Sequence, residues 1–313
     1  MTDQAVERGL GRCAGHRAAL SSVAVSVLAV ALTACAPLGA PAPVQSATAG
    51  ELPAGINVEL YQLRSDVADR GAQVRIVNDS ADDLVVSRIT FVDDWFVAPS
   101  VRERTSMIAA GRTVDLRIAL AESACDDEPD AADRTSRVTV EFTVEGTAPG
   151  PSRDATVDVA DPLGFTELVH EKECLRHDLA QLAVLKWASF TASEPPAPAR
   201  LELAVTSADD GGGTGQLTRI ETTNLLQFGD LPAPFPLGIA LPLDDGETRL
   251  TVPLLPLRCD PHAVMEDKRG SVFNVGVEVD GISGVVEVAA SEQIRGEILR
   301  WVSEWCGFGP GQG

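Results

Sequence analysis

The chain has 313 residues, 44% of them hydrophobic, with a formal net charge of −21. That length accommodates two ordinary domains, and the apolar content excludes global disorder. So acidic a chain repels nucleic acid and anionic headgroups, which excludes nucleic-acid binding as a function. With aromatics at only 4%, Val, Leu and Ala must fill the interior.

Residues 1–17 carry Arg8, Arg12 and Arg17, and residues 18–34, AALSSVAVSVLAVALTA, form an apolar run ending at Cys35. A basic segment followed by a short apolar one is the pattern of a secretory signal, and the run is short for a membrane span. LTAC, with Leu32 three positions before Cys35, resembles the bacterial lipoprotein signal. The resemblance implies cleavage after residue 34, palmitate or a similar acyl group on Cys35, and attachment to the extracytoplasmic face of the cell membrane. Residues 35–53 are rich in Pro, Ala and Gly without any hydrophobic period, which makes them a tether. Extended, such a segment reaches about 60 Å at roughly 3.1 Å per residue. Lys occurs only at Lys172, Lys186 and Lys268 beside abundant Arg, Ala and Val, a composition that resembles the coding bias of high-GC actinobacteria.

The rest of the chain repeats itself. VRIVNDSADD (74–83) parallels LELAVTSADD (201–210), and SRI (87–89) parallels TRI (218–220). AGRTVDLRIALAESACD parallels DGETRLTVPLLPLRCD, which sets Cys125 under Cys259. Eight residues beyond each Cys comes an acid–base pair, Asp133–Arg134 and Asp267–Lys268. VTVEFTVEG parallels FNVGVEVDG, VDVA parallels VEVA, and Cys174 falls under Cys306. We therefore read a tandem duplication, with copy one over 54–178 and copy two over 179–313.

Within each copy the period is two: Val138, Val140, Phe142 and Val144 alternate with polar residues, as do Phe273, Val275, Val277 and Val279. Six or seven short strands per copy separated by Gly, Asp and Pro turns predict an all-β protein of two tandem, immunoglobulin-like β-sandwiches. Pro253 and Pro256 mark an edge strand or a bulge. LAQLAVLKWASF (179–190) reads as the first strand of copy two, so the copies abut. SEQIRGEILRWVSEWC departs from the period: Ile294, Ile298, Trp301, Val302 and Trp305 recur at helical spacing after Ser291, a suitable N-cap. A short C-terminal helix is expected there, with a counterpart in copy one.

Beyond Cys35 stand Cys125, Cys174, Cys259 and Cys306. Four cysteines in an exported chain allow three pairings. The duplication favours Cys125–Cys174 and Cys259–Cys306, one bridge per copy.

RCDPHAVM places Cys259, His262 and Met265 in the order C-x-x-H-x-x-M, which resembles the copper loop of small blue-copper proteins. Such a site needs a thiolate and a second His on a neighbouring strand. No His lies between His177 and His262, copy one has CDDEPDA at the matching place, and Cys259 has an expected disulfide partner. His262 stays a candidate metal ligand without a companion set, and no metal or other cofactor is assigned. CLRH at 174–177 offers two zinc-type ligands where a structural site needs four. HEKEC at 170–174 departs from H-E-x-x-H at its last position, and CDDEPDAAD lacks the Gly and terminal Glu of an EF-hand.

No G-x-S-x-G, S-x-x-K or P-loop pattern occurs. The run RCDPHAVMEDKRGSVF is similar to one in secreted or membrane-anchored actinobacterial proteins, a resemblance confined to about 246–281 that implies location and no chemistry. The expected function is that of a non-enzymatic, membrane-anchored envelope lipoprotein that binds an envelope-protein or cell-wall partner. The alternatives are an exported hydrolase-like enzyme using scattered carboxylates or His262, and a metal-handling protein. Phe91, Trp95 and Phe96 in FVDDWFVAP, with Phe228 in the corresponding part of copy two, are the candidate contact surface.

Overall fold

The computed structural model describes residues 50–126, 134–145, 150–208, 212–229, 231, 233–265 and 269–308. Its strands follow the period-two segments. In copy one, β1 (Ile56–Tyr61), β2 (Gly71–Asn78) and β6 (Arg112–Ala119) form one antiparallel sheet in the order β1-β2-β6. β3 (Asp83–Asp93), β4 (Ser100–Arg102), β7 (Ser136–Glu145) and β8 (Arg153–Asp158) form the facing sheet, in the order β4-β3-β7-β8, with β5 (Ser106–Ile108) also paired to β3. Val74 and Ile76 of β2 meet Ile89 and Phe91 of β3 and Val138, Val140 and Phe142 of β7 in one core. The alternation thus has its physical cause: one side of every strand faces the opposite sheet.

Copy two repeats the plan. β9 (Ala183–Thr191), β10 (Ala199–Ser207), β12 (Leu226–Gln227) and β14 (Glu247–Pro256) form a sheet in the order β12-β14-β10-β9. β11 (Gly215–Ile220), β13 (Phe235–Leu241), β15 (Val272–Val279) and β16 (Ile282–Ala289) form the other, in the order β13-β11-β15-β16. In both copies the first two strands share a sheet with a late strand, and the third strand joins the last two. That is the partition of an immunoglobulin-like sandwich. β14 pairs with β10 along most of its length and meets the two-residue β12 only at Leu255 and Pro256, so Pro253 lies on a free edge and Pro256 where the short β12 ladder ends. β15 and β16 are joined through Asp280 and Gly281 at φ 46° and 86°, a two-residue turn of the kind Asp-Gly favours.

The C-terminal helix α3 (Glu292–Trp305) starts where expected: Ser291 Oγ accepts the Ile294 N–H at 3.2 Å. Ile294, Ile298, Trp301 and Val302 are buried against copy two. A five-residue helix, α2 (Pro261–Met265), follows Cys259.

Copy one carries the counterpart helix, α1 (Phe165–Leu182), whose start is capped by Asp161 Oδ2 accepting the Thr166 N–H at 2.8 Å. The expected first strand of copy two over 179–190 needs correction, because residues 179–182 are the last turn of α1 and the strand begins at Ala183. The cause is packing: Leu175, Leu179 and Leu182 recur at helical spacing and are buried in the core of copy two. Phe165, on the first turn, is buried in the core of copy one, with Val169 packed against it. One helix is therefore shared by both cores, and the expected junction between residues 178 and 179 falls inside it.

Candidate binding cleft beside the shared helix

Several ties hold α1 in place. The Cys125–Cys174 disulfide bonds it to the segment after β6. Glu173, next to the bridge, receives two hydrogen bonds from the Arg70 guanidinium, that from Nη2 at 2.8 Å, and one from Ser123 Oγ at 2.6 Å. His170 is buried, its ring 4.0 Å from that of Trp95 between centroids, with Nε2 3.2 Å from the Ala124 carbonyl oxygen. The Arg134 guanidinium lies 5.1 Å from the centre of the Trp95 ring. Toward copy two, Lys172 Nζ donates to Glu287 Oε1 at 2.9 Å, and Arg269 reaches the same oxygen at 2.8 Å. Burial alone would push the Glu287 carboxyl up, but the hydrogen bonds from Lys172 and Arg269 hold it below its ordinary value.

Between α1 and the β15–β16 hairpin lies a cleft of about 690 Å³. Ligand sites usually span roughly 300–1,000 Å³ and favour domain junctions. The helix wall is Leu168, Glu171, Leu175 and Asp178, spaced three, four and three residues apart and so on one face. The opposite wall is Ile282–Val285 with Glu287, and the Cys125–Cys174 bridge is also part of the lining. Leu168 and Ile282, at 60% and 63% exposure, are among the most exposed large apolar side chains of the described chain. Gly284 sets the wall spacing, since a Cβ there would collide with Leu175 Cδ2. The cleft is thus concave and partly apolar, and its walls are anchored in the cores of both copies.

The expected contact surface is not one. Phe91, Trp95, Phe96 and Phe228 are all buried, at 1%, 4%, 7% and 2% exposure. Phe91 lies on the inward face of β3, and Trp95 is covered by His170. Asp93 folds the segment inward by accepting the Trp95 N–H at Oδ1 and the Ser136 hydroxyl at Oδ2. Phe228 packs against Phe235 at 5.5 Å.

The four cysteines form the bridges Cys125–Cys174 and Cys259–Cys306. The sulfur of Cys259 is therefore bonded to carbon and sulfur, not free as a thiolate ligand. His262 is exposed on α2, and its backbone N–H donates to Asp260 Oδ1 at 3.0 Å. His177 stands 3.6 Å from Asp126. Among the described residues no three His, Cys, Asp or Glu are grouped to hold a metal ion, and no helix is long and apolar enough to cross a membrane. Cys35 and most of CDDEPDAAD lie outside the described residues.

The residues overlooked in the sequence are His170, Lys172 and Glu173 of HEKEC, a stretch that lies within α1 and ends at the expected bridge residue Cys174. His170, Lys172, Glu173 and Cys174 each tie α1 to a different partner. The repeated acid–base pair was a usable signal, since Arg134 covers Trp95 at this junction.

No family model matches the chain, and no curated protein does. Among solved structures it is similar to red sea bream transglutaminase, at 9% identity and TM-score 0.22, over 77% of this chain and 32% of that one. It is similar to the CsuC–CsuE chaperone–tip adhesion subunit complex of Acinetobacter baumannii, at 12% and 0.19, over 75% and 100%. It is also similar to the calcium binding domain CBD12 of CALX1.1, at 12% and 0.20, over 74% and 80%. Likenesses at these TM-scores carry no functional argument, and the fold rests on the sheets themselves.

Proposed function

We propose that the protein is a lipid-anchored lipoprotein of the extracytoplasmic membrane face that acts by binding rather than by catalysis, with the cleft beside α1 as its ligand seat. The observation that carries the binding role is the shared helix: a disulfide, a buried His, ion pairs and two cores fix the cleft walls before any ligand arrives. Preformed walls lower the ordering cost of binding. LTAC at 32–35 and the Pro- and Ala-rich segment after it support anchoring, and the two disulfides support export to an oxidising compartment.

Metabolic labelling with an alkyne-bearing palmitate analogue tests the anchor. The wild-type chain takes up label and partitions into detergent, whereas Cys35→Ala takes up none and keeps its leader, visible as a larger intact mass. Label retained by Cys35→Ala, or a wild-type chain released unlabelled, would overturn the proposal.

A further inference from the structure

Copy two carries a second concavity, away from the cleft. After β9 the chain turns through Ala192–Pro195 and passes over the last turns of α3. Trp301 forms a fixed floor: it is buried, and its indole Nε1–H donates to the Ser193 carbonyl oxygen at 3.0 Å. Trp305, one turn later, stands edge-to-face to it, with centroids 5.4 Å apart and planes at 62°, and is only half-buried. The two rings make a corner, and a cavity of about 480 Å³ lies between them and Ser193–Pro195. Its only charged lining residues are Glu194 and Glu304. Both are exposed, and among the described residues neither carboxylate has a cationic partner.

Indole faces attract cations through the ring quadrupole. The two carboxylates at the rim add attraction of the same sign, and a chain at −21 raises the local cation concentration. A neutral ligand of equal shape gains neither term, and an anion is repelled. A hollow of about 300 Å³ continues past Ala192 and Glu304 toward Phe190 and gives room for the body that carries the charged group. Arg300 borders that hollow and not the corner.

We propose that the Trp301–Trp305 corner with Glu194 and Glu304 is a binding site for an organic ammonium group. This goes beyond the anchoring proposal and does not depend on it. The ammonium sits against the half-buried Trp305 ring, between the two carboxylates, and displaces only water and counter-ions.

Equilibrium dialysis of the full chain in nonionic detergent, against empty micelles at matched ionic strength, decides it. Labelled choline is the quaternary probe and N-acetyl-lysinamide the primary one, and their ranking tells which ammonium is preferred. The neutral choline isostere 3,3-dimethylbutan-1-ol is the shape control. We expect saturable binding of at least one cation that the alcohol does not displace. Trp305→Leu should weaken it about two- to thirty-fold, the span of a cation–π contact from exposed to desolvated. Glu194→Gln with Glu304→Gln, on exposed side chains that leave the fold intact, should weaken it several-fold. Displacement by the alcohol at equal concentration would make the corner a merely apolar pocket and overturn the proposal. So would the absence of saturable binding of both cations, or wild-type affinity in the carboxylate double variant. Should Trp305→Leu fail to fold, the carboxylate variant decides alone.

Discussion

Leu182→Ala tests whether α1 makes one cooperative body of the two sandwiches. Leu182 is 1% exposed on the last turn of a helix that begins in copy one, and its side chain packs in the core of copy two. It also faces Gly215 so closely that a Cβ there would lie 2.8 Å from Leu182 Cδ1. Truncating a fully buried Leu costs about 2–5 kcal/mol through lost transfer energy and the cavity left behind. If the copies unfolded independently, that loss would fall on copy two alone. The first turns of α1 hold Phe165 in the core of copy one and stack His170 on Trp95, so fraying the far end loosens both. Hydrogen exchange read by mass spectrometry resolves the two. Peptides from β2, β3 and β7 report copy one, and peptides from β10, β11 and β15 report copy two. We expect the slowest amides of both copies to lose protection together by the same 2–5 kcal/mol. Protection lost in copy two with copy one unchanged would refute the coupling.

Three further outcomes follow from the same contacts. Replacing Cys125 and Cys174 by Ala, or Cys259 and Cys306, should each lower stability by about 4 kcal/mol on the chain-entropy model for separations of 49 and 47, measured by denaturant unfolding. A loss under about 1 kcal/mol would show that the bridges do not constrain the unfolded chain. Gly284→Val should force Leu175 off β16 and cost about 1–3 kcal/mol by overpacking, where Ser283→Val, at a cleft-lining position beside it, should cost far less. Glu287→Gln should remove a pH dependence. Because its folded pKa lies below the ordinary 4.5, the pairing with Lys172 and Arg269 stabilises fully above that value and fades as acid titrates the folded carboxylate. The gap in melting temperature between wild type and variant should hold above pH 4.5 and close below it; a gap that widens in acid refutes the assignment.

The sandwiches were legible because a strand with one face on a core writes a period of two into the sequence, and the duplication writes it twice. The bridges were legible for the same reason, since Cys125 and Cys174 stand in copy one where Cys259 and Cys306 stand in copy two. α3 was legible because Ile294, Ile298, Trp301 and Val302 make one stripe against one core. α1 was not, because it serves two cores. Phe165 and Val169 lie on one side of it, and Leu175, Leu179 and Leu182 lie roughly a quarter-turn away at about 100° per residue. A stripe that changes side midway looks like no stripe, and Leu179 and Leu182 after the change passed for the start of a strand. The buried aromatics misled for a related reason. Acidic neighbours such as Asp93 suggested a surface turn, but that carboxylate is itself buried, its charge met by the Trp95 N–H and the Ser136 hydroxyl.

Both concavities lie where the copies stop matching. Aligned on their second cysteines, Glu173 of copy one corresponds to Trp305 of copy two, and Val169 to Trp301. In copy one that position locks the helix down: Glu173 takes the Arg70 guanidinium and the Ser123 hydroxyl. In copy two the position carries an indole that no sandwich covers completely. The helices diverge again past the bridge. Cys306 caps α3, whereas α1 runs eight residues beyond Cys174 and delivers Leu175, Leu179 and Leu182 to the neighbouring core. Without that extension no helix would pass over β15 and β16 and no cleft would form between them. A duplicated sandwich supplies two stable frames of equal plan, and what differs between the frames sets what each helix can meet: the second sandwich for α1, and the proposed ammonium ligand at the half-buried indole for α3.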